Sequence, residues 1–151
     1  MTQTPEQELA TTVHLSSRIR ILSRALIKTL DRMAHSSKPF SIVRLDDQLQ
    51  IAINEPFRIL LDTPGDTATI RTAKQGWVPE DLEACNDRIK QVSHFEHEYR
   101  TALNPRFFGT MNAEIELIED EQGVLYRLNC NLGVKPAPWH PSMLQMQQFE
   151  W

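Results

Sequence analysis

Glycine and cysteine are scarce in this 151-residue chain, at five and two residues, and long apolar runs are missing altogether. Gly65, Gly76, Gly109, Gly123 and Gly133 are too dispersed to form a phosphate-cradling loop, and no Gly-x-Ser-x-Gly elbow occurs, so a nucleotide-binding enzyme or an esterase-like hydrolase is disfavoured. Two cysteines cannot build a disulfide framework, and a chain of this length, which buries roughly two-thirds of its extended surface, does not need one. Arg or Lys interrupts every apolar stretch before it reaches the ~18 residues of a membrane span. The first nine residues are polar and acidic, unlike a secretory leader. With 40% hydrophobic and 24% charged residues, the expectation is one cytoplasmic globular domain with reduced thiols and no membrane contact.

Charge is unevenly placed. Residues 1–45 carry seven basic and three acidic groups, a surplus of +4, which leaves −8 on the remainder. An acidic body makes a general nucleic-acid binder unlike this chain, because phosphate contacts want a basic face that dominates the domain. The pattern suits self-association or an acidic protein partner better.

Apolar residues at Leu15, Ile19, Leu22, Leu26, Leu30 and Met33 predict a long amphipathic helix from about Pro5 to Ser36. Arg20, Arg24, Lys28 and Arg32 then form a basic ridge on its other side. Alternating residues in 40–45, 49–53, 57–61 and 67–72, separated by turn chemistry, predict a four-stranded antiparallel meander. Pro79-Glu80-Asp81 opens a second helix running to about Asn104, with Leu82, Cys85, Ile89, Val92, Tyr99 and Leu103 as its buried stripe. A hairpin pairs 113–117 with 124–132, and a stiff Pro-rich segment leads to a short last helix that contains Met143, Phe149 and Trp151. The fold class is thus α+β, with a single domain over 1–135 and an arm over 136–151.

Three groups of residues are candidates for function. The ridge Arg20, Arg24, Lys28 and Arg32 has only Asp31 as an internal acid, so it wants an acidic neighbour: the chain's own Glu-rich hairpin, a second copy, or a partner. Trp139, Phe149 and Trp151 carry apolar area on a segment too short to bury it alone, so the tail must dock on its own domain or on a partner. His94, His97 and Glu98, three and four apart, would share one face of the second helix as metal ligands, with His140 as a distant third imidazole. A solvated helix face explains that trio more simply, and Cys85 and Cys130 fall where thiols act as small buried hydrophobes. No cofactor is expected.

The element order, the alternation in Leu49-Gln50-Ile51-Ala52-Ile53 and Phe57 to Leu61, and the Trp77-Val78-Pro79-Glu80-Asp81 helix opening resemble the type III secretion chaperone-like family over residues 20–150. That resemblance implies a homodimer that binds extended segments of client proteins without catalysis. The expected function is therefore a non-enzymatic, chaperone-like protein-binding adaptor. A small metal-dependent enzyme built on His94 and His97 is the second reading, and a phosphate-contacting regulator using the basic ridge is the third.

Overall fold

A computed structural model describes residues 11–143. Six antiparallel strands form one sheet in the order β1-β3-β2-β6-β5-β4: β1 is Val13–Leu15, β2 Phe40–Arg44, β3 Gln50–Asn54, β4 His94–Asn104, β5 Phe107–Glu119 and β6 Leu125–Pro136. Helix α1 (Arg24–Met33) precedes β2, and α2 (Glu55–Leu61), α3 (Gly65–Ala68) and α4 (Pro79–Ile89) lie between β3 and β4. The last strand returns to the middle of the sheet, where β6 pairs with β2 on one side and β5 on the other.

Two apolar layers result. On the inner face α2 and α4 contribute Phe57, Leu61, Leu82, Cys85 and Ile89, which pack with Phe95, Tyr99, Met111 and Ile115 from β4 and β5. On the outer face Leu26 of α1, flanked by Leu30 and Met33, packs on Ile42, Ile118, Tyr126 and Leu128. No helix among the described residues is long and apolar enough to cross a membrane.

The predicted strand and helix layout is wrong in three places. The long N-terminal helix is instead β1 followed by a ten-residue α1. Ser23 takes extended geometry and its hydroxyl accepts from the Leu26 N–H, so the helix starts there. Upstream, Val13–Leu15 pairs with Asn54–Ala52 of β3, a sheet contact that outweighs helical periodicity. That contact also requires Gly65, because a Cβ there would lie 2.3 Å from the His14 ring.

The four-stranded meander keeps only β2 and β3. Phe57, Ile59 and Leu61 read as alternation, yet Phe57 and Leu61 are four apart on the buried face of α2 while Ile59 is 61% exposed. Asn54 decides the matter: its Oδ1 accepts from the N–H groups of Phe57 and Phe40, and Pro56 sits in the first turn. The second helix ends at Ile89, and His94–Asn104 is β4. Phe95, His97, Tyr99, Thr101 and Leu103 recur at steps of two, and this inward phase fits the sheet better than three-and-four steps fit a helix.

The β5–β6 hairpin forms, but its facing differs from the expected match of Ala113, Ile115 and Leu117 with Tyr126, Leu128 and Cys130: Ile115 lies opposite Asn129 and Leu117 opposite Arg127. Of the predicted last helix only its start at Ser142 and Met143 is among the described residues; Phe149 and Trp151 lie outside them. Its approach docks on the domain itself: Ala137 N–H donates to Phe108 carbonyl, Trp139 packs on Phe108 with ring centres 5.3 Å apart, and Met143 is buried beside Val78 and Ala102.

Candidate functional site, a guanidinium inside the sheet

A strand at the middle of a sheet covered on both sides should be apolar on both phases. β6 is apolar on one phase only. Tyr126 and Leu128 join the layer under α1, whereas Arg127, Asn129 and Asn131, the alternate residues, are also buried. Arg127 is 0% exposed and is the largest fully buried side chain among the described residues.

Every hydrogen bond it makes goes to a neutral amide. Nε donates to Asn129 Oδ1 at 3.0 Å, and Nη1 donates to Gln48 Oε1 at 3.1 Å and to Asn86 Oδ1 at 2.6 Å. Asn129 is held in turn by donating to Ser41 Oγ at 3.0 Å. Nη2 is buried and has no partner. Gln48 reaches the site because a left-handed backbone, φ 60°, turns the β2–β3 connection inward, and Asn86 comes from the last third of α4.

The Arg127 guanidinium lies 4.8 Å from the centre of the Trp77 ring, which stacks on Tyr99 at 3.5 Å. This cation–π contact softens the desolvation but brings no negative charge. Burial pulls the Arg127 pKa down from its ordinary value, and the Cys85 thiol and Tyr99 hydroxyl, both pushed up by burial, stay neutral beside it. A guanidinium keeps its proton in proteins, so a full positive charge stands in the core. Desolvating such an ion costs several kcal/mol, as an order of magnitude, unless a counter-charge offsets it.

Two spaces adjoin the cluster. A cavity of about 50 Å³ lies among Phe57, Leu61, Trp77, Tyr99 and Leu103. An open groove of about 400 Å³ is lined by Trp77, Pro79, Leu82 and Asn86, together with the charged Lys74, Glu83 and Asp87. Trp77 and Asn86 therefore belong both to the groove and to the shell around Arg127. His97 faces the same layer, stacked at 6.4 Å on Trp77; its Nε2 is buried without a partner, and burial holds the ring below the usual imidazole pKa.

The residues singled out from sequence are scattered. His94 and Glu98 point to the outer face of β4 and His97 to the inner one, since strand neighbours alternate, so the trio does not converge. His94 Nε2 instead meets Glu114 at 2.6 Å, and His140 Nε2 lies 3.8 Å from Glu80. Among the described residues no group of three His, Cys, Asp or Glu side chains is placed to hold a metal ion. Of the basic ridge, Arg24, Lys28 and Arg32 lie on α1 and Arg20 before it, all exposed. Part of the acid that the ridge wants comes from the hairpin itself: Arg32 donates through both Nη atoms to Glu116, and the Glu121 carboxylate accepts from the Arg24 N–H at the helix start.

Sequence reasoning misses Arg127, Asn129, Gln48 and Asn86. Their signal is present in the run Tyr126-Arg127-Leu128-Asn129-Cys130-Asn131, where strict alternation reads as one wet and one buried face. Only the return of β6 to the centre of the sheet turns the polar phase into a buried one.

No protein-family model matches the sequence, and no curated protein matches it. Among solved structures, the crystal structure of a PAS domain from a two-component sensor histidine kinase is similar, with a TM-score of 0.57 at 10% identity, over 74% of this chain and 96% of that one. With α2–α4 set between β3 and β4 and the last strand, β6, returned to the centre of the sheet, the chain has a PAS-like fold.

Proposed function

We propose that this chain is a non-enzymatic, sensory binding module: a small molecule is received between the sheet and α4, and the bound state is passed to a protein partner. The observation that carries the reading is Arg127, a fully buried charge that no carboxylate of the described residues contacts. A fold selected only for stability gains little from such a group, since well-packed apolar residues of similar volume are often neutral or stabilising in its place. The similar structure is a PAS domain of a sensor kinase, which agrees with a sensing role.

The protein-facing half of the proposal rests on α1. Ile27 is 47% exposed on the helix beside Arg24 and Lys28, and Ile21 just before it is 87% exposed. An apolar pair set among cations suits contact with another polypeptide, a second copy of this chain included. The test is thermal unfolding of the full chain against a panel of small neutral, cationic and anionic compounds, with light scattering for association. At least one charge class should raise the midpoint: at one hundred times Kd a ligand adds about 2.7 kcal/mol. A panel with no stabilising member of any class would refute the reading.

A further inference from the structure

The groove and the guanidinium share two residues, and that sharing bears on what the site takes. Asn86 lines the groove and accepts from Arg127 Nη1; Trp77 lines it and carries the guanidinium on its ring. An incoming group that replaces the Asn86 amide would meet the charge directly. Three of the five guanidinium N–H groups are engaged, by Asn129, Gln48 and Asn86, and Nη2 is left with two.

Among the described residues no acid reaches the guanidinium. Asp81 is held by Arg100 through both carboxylate oxygens, at 2.8 and 2.9 Å, while Glu83 and Asp87 are exposed in the groove wall. Resting on the sensory reading above, we propose that the ligand is a small organic monocarboxylate with a short apolar body, its two oxygens on Arg127 and its body against Trp77, Pro79 and Leu82. A two-oxygen planar anion matches the edge of a guanidinium. One positive charge and two remaining N–H groups suit a single negative charge, and the amide oxygens of Gln48 and Asn129 would repel the further oxygens of a phosphate or sulfate. The apolar groove wall favours a hydrocarbon body over a bare inorganic ion.

Calorimetric titration of the full chain with 3-methylbutanoate, its neutral analogue 3-methylbutanamide, chloride and inorganic phosphate tests this, using wild type, Asn86→Asp and Asn86→Ala. Wild type should bind 3-methylbutanoate saturably and at least tenfold tighter than the amide or either inorganic anion. Asn86→Asp, which supplies the counter-charge internally, should weaken the carboxylate at least tenfold, whereas Asn86→Ala, which vacates the place, should hold or improve affinity. Equal affinity for acid and amide, equal binding by wild type and Asn86→Asp, or tighter binding of an inorganic anion would overturn the assignment while leaving a binding module in place. Failure of every compound in both this titration and the wider thermal panel would remove the sensory reading with it.

Discussion

Replacing Asn86 by aspartate puts one negative charge against the buried guanidinium at almost no change in volume. The existing contact is short, Nη1 to Oδ1 at 2.6 Å, so the carboxylate needs no rearrangement to use it. A hydrogen bond between neutral groups contributes about 0.5–1.5 kcal/mol and one to a charged group about 1.5–3. The Asn86 bond already has a charged donor, so the added value comes from making both ends charged, on the order of 1–2 kcal/mol once desolvation of the new carboxylate is subtracted. The introduced charge would sit near the negative end of α4, a cost of about 0.3–1 kcal/mol. The net expectation is a gain of about 1 kcal/mol, or roughly 2–4 °C in a domain of this size. The sign with pH follows from Arg127, which would hold the introduced carboxyl below its unfolded pKa of about 3.9. The gain is then complete above that pH and disappears as pH falls through the lower folded value. Calorimetric melts of wild type and variant between about pH 2.5 and 8 measure it. A variant less stable than wild type at neutral pH, or a difference that does not shrink in acid, would refute the claim that the charge lacks a counterpart.

Other side chains give independent checks. Asn54→Ala removes the cap of α2 and leaves the buried N–H groups of Phe40 and Phe57 without their acceptor; a loss of about 2–4 kcal/mol is expected in urea unfolding. Gly65→Ala should cost about 1–3 kcal/mol by overpacking against His14 and should loosen β1, seen as faster amide exchange at Val13–Leu15. Asp81 is held below its usual pKa, first by the Arg100 side-chain bonds, so its contribution is present above about pH 4 and is lost as pH falls through the lower folded value. Asp81→Asn should cost about 1 kcal/mol at neutral pH, a figure kept small by the exposure of Arg100, and should flatten the acid limb of the stability profile.

How far the sequence could be read depended on whether an element's partners lie nearby in the chain. The β5–β6 hairpin was legible in outline because its strands meet across a local turn, but not in its facing, since Ile115 and Leu117 lie opposite Asn129 and Arg127 and not opposite the apolar phase of β6. The start of α4 was legible from Pro79 and its following acids, and Leu82, Cys85 and Ile89 do face the core. The segment after β3 was not, because Phe57-Arg58-Ile59-Leu60-Leu61 satisfies both periods and only Asn54, pinned between Phe40 and Phe57, selects the helix. Residues 94–104 failed for a related reason: His94, His97 and Glu98 fit a helix face by spacing, but the pairing of Phe95 with Ile115 and Tyr99 with Met111 is long-range and outweighs it. The site itself was hidden by burial. Arg127 and Asn129 look like solvent-facing residues of an amphipathic strand, and nothing local shows that β2 will lie against β6 and α4 above it.

The central claim, that the interior of this fold carries a positive charge awaiting an external anion, is tested most directly by side-chain ¹⁵N–¹H NMR of arginine, with the Arg127 signals identified by their loss in Arg127→Lys. Guanidinium protons of Arg127 that exchange slowly with water and move downfield in saturable fashion as 3-methylbutanoate is added, while those of the exposed Arg106 stay fixed, are the predicted result. Arg127 protons that exchange as fast as those of Arg106, or that ignore the carboxylate throughout the titration, would contradict it.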